Sequence, residues 1–209
     1  MVAGSEFKTI KEAEAVVGGL SYPSKMPGLA YGLPARRCQI GSVLAKINGS
    51  VCSSCYALKG RYVFSNVQVA QERRFKTLRD PRWVSAMVWL IKRMKCRWFR
   101  WHDSGDIQGF WHLELLCEVA RQCPETHFWL PTRERAMVRY FKGTIPPNLV
   151  IRMSGTMIDG PAPKEFPNTS RVVSKIEDVT CPAYRQNGKC GTCRACWSAD
   201  VPNINYPHH

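Results

Sequence analysis

Short strands and helices alternate along the second half of this chain, and this pattern constrains the fold more than any other feature. Alternation with short connections is typical of βα units, whose strands form a parallel sheet. A closed eight-fold barrel usually needs about 250 residues, and this chain has 209. We therefore predict an α/β protein with a partial or open (β/α) barrel. The predicted strands are residues 97–102, 126–131, 149–153 and 171–174, and the helices between them are residues 112–122 and 133–141.

The first half of the chain is expected to add helices to the same barrel. The spacing of apolar residues predicts helices at residues 8–20 and 65–78. A further helix is predicted after Asp80-Pro81, because Asp is a favourable cap and Pro fits the first turn. Residues 39–47 predict a short strand.

The cysteine content indicates metal or redox chemistry rather than disulfides. The chain has ten cysteines. Its N-terminus lacks the pattern of a secretory signal, and no apolar run approaches the ~18 residues of a membrane span. We therefore expect a cytoplasmic monomer without membrane contact, located in the host cytoplasm if the protein is encoded by a phage. Thiols stay reduced there, so clustered cysteines are expected to bind metal.

Four cysteines are concentrated near the end of the chain. Cys181 precedes a proline, and Cys190, Cys193 and Cys196 follow with two residues between neighbours. This spacing resembles the bacterial ferredoxin run that holds 4Fe-4S clusters, whereas zinc modules more often use two separated pairs. Zinc is the alternative metal. We assign residues 8–176 to the barrel with the N-terminal cysteines and residues 177–200 to a metal-binding tail packed on the same domain.

A second group has three cysteines, Cys38, Cys52 and Cys55. A cluster held by three thiolates leaves one iron with an open coordination position for substrate or cofactor. Alternatively, Cys52 and Cys55 share one site with the tail, and a single metal staples the two ends of the chain. The sequence thus predicts one or two clusters. Free cysteine packs as a small apolar residue, and this is the role expected for Cys96, Cys117 and Cys123.

A polar segment at the end of the first predicted strand is the candidate ligand site. The carboxyl ends of strands form the active face in βα architectures. We predict that His102 and Asp106 are catalytic, and that Ser104, Gly105 and Asp106 bind a cofactor. Alternatively, the segment is a tight turn in which Asp106 caps the next helix near Gln108. Thr132-Arg133 and residues 152–155 end later strands and leave the same alternatives open.

The charge balance favours an anionic partner. Thirty basic residues against 16 acidic ones give a formal charge of +14. Such an excess favours binding to nucleic acid or to an acidic host protein. Bound clusters would offset part of this charge, because a cubane with four thiolates is an anion.

Three motifs together resemble one family, the phage and bacterial proteins known as gene product 88. They are the stretch from Ser50 to Tyr62, which contains Cys52-Ser-Ser-Cys55-Tyr-Ala, the segment His102–Asp106, and the segment Cys181–Trp197. The resemblance spans residues 30–197. It implies a cysteine-rich iron–sulfur protein.

The N-terminal cysteines also resemble those of radical S-adenosylmethionine enzymes, more distantly. This second resemblance implies a cluster at the top of a partial barrel, with S-adenosylmethionine on the open iron. The spacing differs, because thirteen residues separate Cys38 from Cys52 and no Gly-Gly-Glu follows the next strand. Two hypotheses follow: a radical-type or redox enzyme, or a non-enzymatic protein stapled by iron–sulfur or zinc that binds through its basic surface.

Overall fold

A computed structural model describes residues 6–208. Six parallel strands form one open sheet, in which each strand pairs with the next along the chain. This architecture confirms the predicted α/β fold with a partial barrel. The strands are β1 Leu29–Tyr31, β2 Trp98–Trp101, β3 His127–Thr132, β4 Leu149–Ser154, β5 Thr169–Val173 and β6 Asn203–Pro207. The helices are α1 Ile10–Val17, α2 Gln39–Leu44, α3 Ser65–Thr77, α4 Trp83–Arg93, α5 Phe110–Gln122 and α6 Arg135–Arg139.

The main hydrophobic core lies between one face of the sheet and the helices. Side chains alternate along a strand, and Phe99 and Trp101 of β2 point into this core with Phe128 and Leu130 of β3. Helices α1, α4 and α5 supply most of the opposing apolar surface. Because these core residues face the helices, the residues between them in each strand face the other side of the sheet.

The cysteine-rich tail covers that other side. Trp129 of β3 and Ile204 of β6 pack there against Cys196 and Trp197 in a second, smaller core. The indole nitrogen of Trp197 donates a hydrogen bond of 2.9 Å to the carbonyl of Phe99. The tail is therefore an integral layer of the fold, and it leads directly into β6.

Three elements differ from the sequence prediction. Residues 39–47 were predicted as a strand, but α2 occupies Gln39–Leu44. The helical turn lets the Ser42 hydroxyl donate to the Cys38 carbonyl, and none of the residues in α2 is buried, so no core face marks its periodicity. The edge strands β1 and β6 were not predicted, because β1 has three residues and Pro207 ends β6. Proline is tolerated in a strand at a sheet edge.

Within the described residues, no helix is both long enough and apolar enough to cross a membrane.

Candidate metal centres

The loop that carries Cys52 and Cys55 is fixed to the carboxyl end of β4. The backbone nitrogen of Val51 donates to the carbonyl of Thr156 at 2.9 Å, and that of Ile158 donates to Gly49 at 3.0 Å. Ser50 is fully buried and forms a bridge with Met157. The N-terminal cysteine group (Cys38, Cys52 and Cys55) is thus attached where the sequence predicted the active face.

Helix α2 brings the third thiol to the same place. The backbone nitrogen of Ile40 donates to a carboxylate oxygen of Glu134, which follows β3, at 3.0 Å. A Cβ added at Gly41 would lie 2.9 Å from the Cβ of Cys38, 3.5 Å from its Sγ and 3.7 Å from the Sγ of Cys52. The absence of a side chain at Gly41 therefore leaves room beside two thiols.

The surroundings of Cys38 disfavour a thiolate without a cation. Burial raises the pKa of the Cys38 thiol, and the nearby charges of Asp106, Cys55, Cys52 and Glu134 raise it further. Burial also raises the pKa of Cys52, although the Arg133 guanidinium acts in the opposite direction. Thiolates are the form that binds metal. A bound metal cation or cluster would compensate the clustered negative charge.

The tail cysteine group (Cys181, Cys190, Cys193 and Cys196) belongs to the segment that covers the other side of the sheet, where Cys181 and Cys196 pack in the small core. Burial raises the pKa of Cys190, and the neighbouring thiols of Cys181 and Cys193 add to the shift. The Cys196 sulfur is 3.1 Å from the hydroxyl of Tyr206 in β6. Burial raises the pKa of Cys196 to about 11. The thiol charges that act on each of these cysteines come from its own group, as they do in the N-terminal group.

An arginine of β4 anchors the tail backbone. Arg152 of β4 is fully buried. Its guanidinium donates five hydrogen bonds to carbonyl oxygens: three in the tail, one at Val201 directly after the tail and one in β5. The acceptors are Ala195 at 2.7 Å, Ser198 at 2.7 Å, Val201 at 2.9 Å, Cys196 at 3.1 Å and Thr169 at 3.3 Å. All donors of Arg152 are therefore bonded to backbone carbonyls. For this residue, the alternative that residues 152–155 form a ligand site does not hold.

Two buried donors beside the tail group have no acceptor in the described structure. They are Nε of Arg100 in β2 and Nε1 of Trp129 in β3. The two residues are partners in the parallel register, and the guanidinium carbon of Arg100 lies 4.5 Å from the centroid of the Trp129 ring. Trp129 also packs in the small core that contains Cys196. Unpaired N–H groups next to thiols fit sulfur acceptors, because iron–sulfur centres accept hydrogen bonds at their sulfurs.

The Asp106 carboxylate holds the β2–α5 connection to β3. One of its oxygens accepts from the backbone nitrogen of Ile107 at 2.8 Å and from the Thr132 hydroxyl at 2.6 Å. The other accepts from the backbone nitrogen of Arg133 at 2.9 Å. Asp106 does not cap α5, which begins at Phe110. The prediction that Asp106 caps the next helix near Gln108 is wrong. Its carboxylate accepts from the backbone nitrogen of Ile107, which lies before the helix.

The neighbours of Asp106 face the protein interior. Gly105 has φ +79°, and a Cβ there would lie 2.6 Å from the Cβ of Leu33, so chain packing rather than a ligand requires this glycine. Ser104 is buried, and its hydroxyl has no partner among residues 6–208. The His102 ring lies 5.3 Å from the ring of His112 in α5. Burial lowers the pKa of His102, and the charge of His112 lowers it further. Catalysis by His102 and Asp106 stays a prediction.

The other three cysteines are packing residues, as predicted. Cys96, Cys117 and Cys123 are buried in the main core.

Within residues 6–208, no three His, Cys, Asp or Glu side chains are arranged to hold a metal ion.

The comparisons with known proteins give one match. The model of a family described as Gene product 88 matches residues 4–199. The chain belongs to the gene product 88 family. No curated protein and no solved structure matches it.

Sequence reasoning missed several groups at the two centres of this gene product 88 protein. Glu134 was not singled out, although it lies three residues after the predicted strand 126–131, at the start of the predicted helix 133–141. Arg100 was not singled out either. Its position in the strand could have indicated it, because it lies between Phe99 and Trp101, which face the main core. A basic residue between core positions of a strand must face the other side of the sheet.

Proposed function

We propose that this gene product 88 protein binds 4Fe-4S clusters at two sites, the N-terminal cysteine group and the tail cysteine group. The observation that carries the proposal is the pair of unpaired buried donors, Arg100 Nε and Trp129 Nε1, beside the tail thiols. Each thiol is affected by the charges of thiols in its own group and not by those of the other group, which supports two sites over one composite site. The free thiols that such sites need are maintained in the cytoplasm.

The N-terminal site is the one we propose for chemistry. Three thiols at the carboxyl end of parallel strands occupy the position where βα proteins bind substrates. A cubane held by three thiolates supplies an iron with an open coordination position. Glu134 and Arg133 lie at the same edge and would orient a polar ligand there, and S-adenosylmethionine is the cofactor proposed from the family resemblance.

Anaerobic purification followed by iron, sulfide and zinc analysis tests the metal. We expect a brown protein with equal amounts of iron and labile sulfide. Cys52→Ala and Cys193→Ala should each remove about half of the iron if there are two sites. Loss of all iron in both variants would indicate a composite site, and stoichiometric zinc without sulfide would refute the proposal.

The radical-type activity has its own test. The reduced Cys193→Ala protein, which would retain only the N-terminal cluster, is mixed with S-adenosylmethionine and examined by electron paramagnetic resonance. A shifted spectrum is expected, because the cofactor would bind the open iron. An unchanged spectrum would mean that S-adenosylmethionine does not bind the open iron, and it would refute the radical-type activity.

A second candidate function is nucleic-acid binding around the N-terminal site. Residues 36–64 contain five basic and no acidic residues. Apolar side chains are exposed along the same segment, including Phe64 at 57% and Tyr56 at 47%. Basic charge interleaved with exposed aromatic rings is typical of single-strand binding surfaces.

Fluorescence anisotropy with a single-stranded oligonucleotide tests this candidate. Binding should weaken as salt rises, because phosphate contacts release counterions. Lys59→Glu with Arg61→Glu should weaken it strongly, whereas Lys142→Glu, outside the segment, should not. Equal effects of both changes would contradict a specific surface.

A further inference from the structure

Arg100 is a cation on the tail side of the sheet that no carboxylate neutralises at contact distance. Among residues 6–208, it takes part in no ion pair. Its guanidinium donates from Nη2 to the hydroxyl of Tyr56 at 3.2 Å. Tyr56 in turn donates to the carbonyl of Asp103 at 2.6 Å. This contact positions the guanidinium and leaves Nε pointing elsewhere.

The unpaired Nε and the unpaired indole N–H of Trp129 belong to one surface. The two side chains are stacked at 4.5 Å and lie on registered positions of β2 and β3. Trp129 packs with Cys196, and Cys181 lies against the same small core. The positive charge of Arg100 acts on the thiols of Cys190 and Cys196. Residues 6–208 supply no acceptor for these two donors, so the acceptor that fits is anionic sulfur held by the tail cysteines.

We infer that Arg100 and Trp129 donate hydrogen bonds to sulfur atoms of the tail cluster and raise its reduction potential. This inference rests on the proposed function of the tail group. Reduction adds negative charge to the cluster, and N–H donors and a nearby cation stabilise that charge. Removing them should therefore make the cluster harder to reduce. Both are positioning residues, because they act on the potential without ligating iron.

A redox titration of the anaerobically purified full chain, followed by electron paramagnetic resonance, tests the inference. The Cys52→Ala protein identifies the signal of the tail cluster. Arg100→Gln removes the charge while its amide can still donate from the position of Nε, and Trp129→Phe removes one donor while keeping the apolar ring. Arg97→Gln is the matched control, because Arg97 is exposed just before β2 and its guanidinium lies over the ring of Trp98.

We expect a more negative midpoint potential in Arg100→Gln and a smaller shift of the same sign in Trp129→Phe. Iron and sulfide contents should equal those of the wild type, and Arg97→Gln should titrate like the wild type. Unchanged potentials in both variants would overturn the inference, as would a positive shift. If Arg100→Gln fails to hold the cluster, Trp129→Phe decides the question. Loss of the cluster in both would also overturn it, by assigning the two residues to folding.

Different results would refute the proposed function and the proposed role of Arg100 and Trp129. A wild-type protein without iron and sulfide refutes the proposed function. A wild-type protein that contains the tail cluster, with variants of unchanged potential, refutes only the role of Arg100 and Trp129.

Discussion

Replacing Arg152 by methionine should detach the tail from the sheet. Methionine has a similar length and fills the same apolar space, but it donates no hydrogen bonds. Of the five carbonyl acceptors, those of Thr169 and Cys196 belong to buried residues, and water can reach the others more easily. A buried acceptor left without a donor costs about 1–3 kcal/mol, so two of them cost about 2–6 kcal/mol.

One term opposes this loss. Burial lowers the pKa of Arg152, which means that the fold bears a cost for holding its charge. Methionine removes that cost, as replacements of buried charges by apolar residues often do. We therefore expect Arg152→Met to reduce the free energy of unfolding by about 2–4 kcal/mol, near the lower part of the range set by the carbonyls.

Denaturant titration of the anaerobic protein, followed by tryptophan fluorescence, measures the change. The Trp197 ring lies 5.2 Å from that of Trp129, so its emission reports tail docking. Arg171→Met is the control, since Arg171 makes one side-chain hydrogen bond, to Asn205 at 3.0 Å, and should cost about 1 kcal/mol. Equal midpoints for Arg152→Met and the wild type would refute the idea that this arginine holds the tail.

Three further outcomes are expected. Cys193→Ala should lower the melting temperature as well as remove metal, because metal binding stabilises the tail; a wild-type melting curve would contradict this. Gly41→Ala should lower iron content with little change in stability, since its Cβ would crowd Cys38 in an exposed helix, whereas Val43→Ala in the same helix should keep its iron. Burial lowers the pKa of His112 to about 3, so its contribution to stability is complete above about pH 6.5 and is lost as the pH falls towards 3, by about 1.4 kcal/mol per pH unit. His112→Asn should flatten the dependence of unfolding free energy on pH in that window, and an unchanged slope would argue against a buried neutral imidazole.

The sequence predicted most of the elements whose side chains enter the main core, but it missed the three-residue strand β1, which supplies Leu29 and Tyr31. Strands β2 to β5 and helices α1 and α3 to α6 were predicted near their observed positions, because the apolar pattern of each reflects the layer it contacts. The pattern does not carry such information where an element lacks a core face. Helix α2 has no buried residue, and β6 alternates polar Asn203 and Asn205 with Ile204 and Tyr206, which pack on the tail.

The candidate centres were predicted in part for a related reason. Cysteine spacing is local information, and it identified both thiol groups. The groups that surround them come from elsewhere in the chain: Glu134 is 96 positions from Cys38, and Trp129 is 67 positions from Cys196. Only the parallel register of the sheet brings such residues to the thiols. Gly105 illustrates the same limit, because its closest contact, Leu33, lies on a distant segment.

Arg100 and Arg152 have different roles because their surroundings differ. Both are arginines within parallel strands, and both side chains leave the sheet on the side that the tail covers. Arg152 has five carbonyl acceptors, so the polypeptide satisfies it and its role is to hold the tail in place. Arg100 has one phenol acceptor and a buried Nε without any partner in the described structure. Because a fold rarely leaves a buried donor without an acceptor unless something else supplies one, the difference between these two arginines is the reason to look for anionic sulfur beside Arg100 rather than beside Arg152.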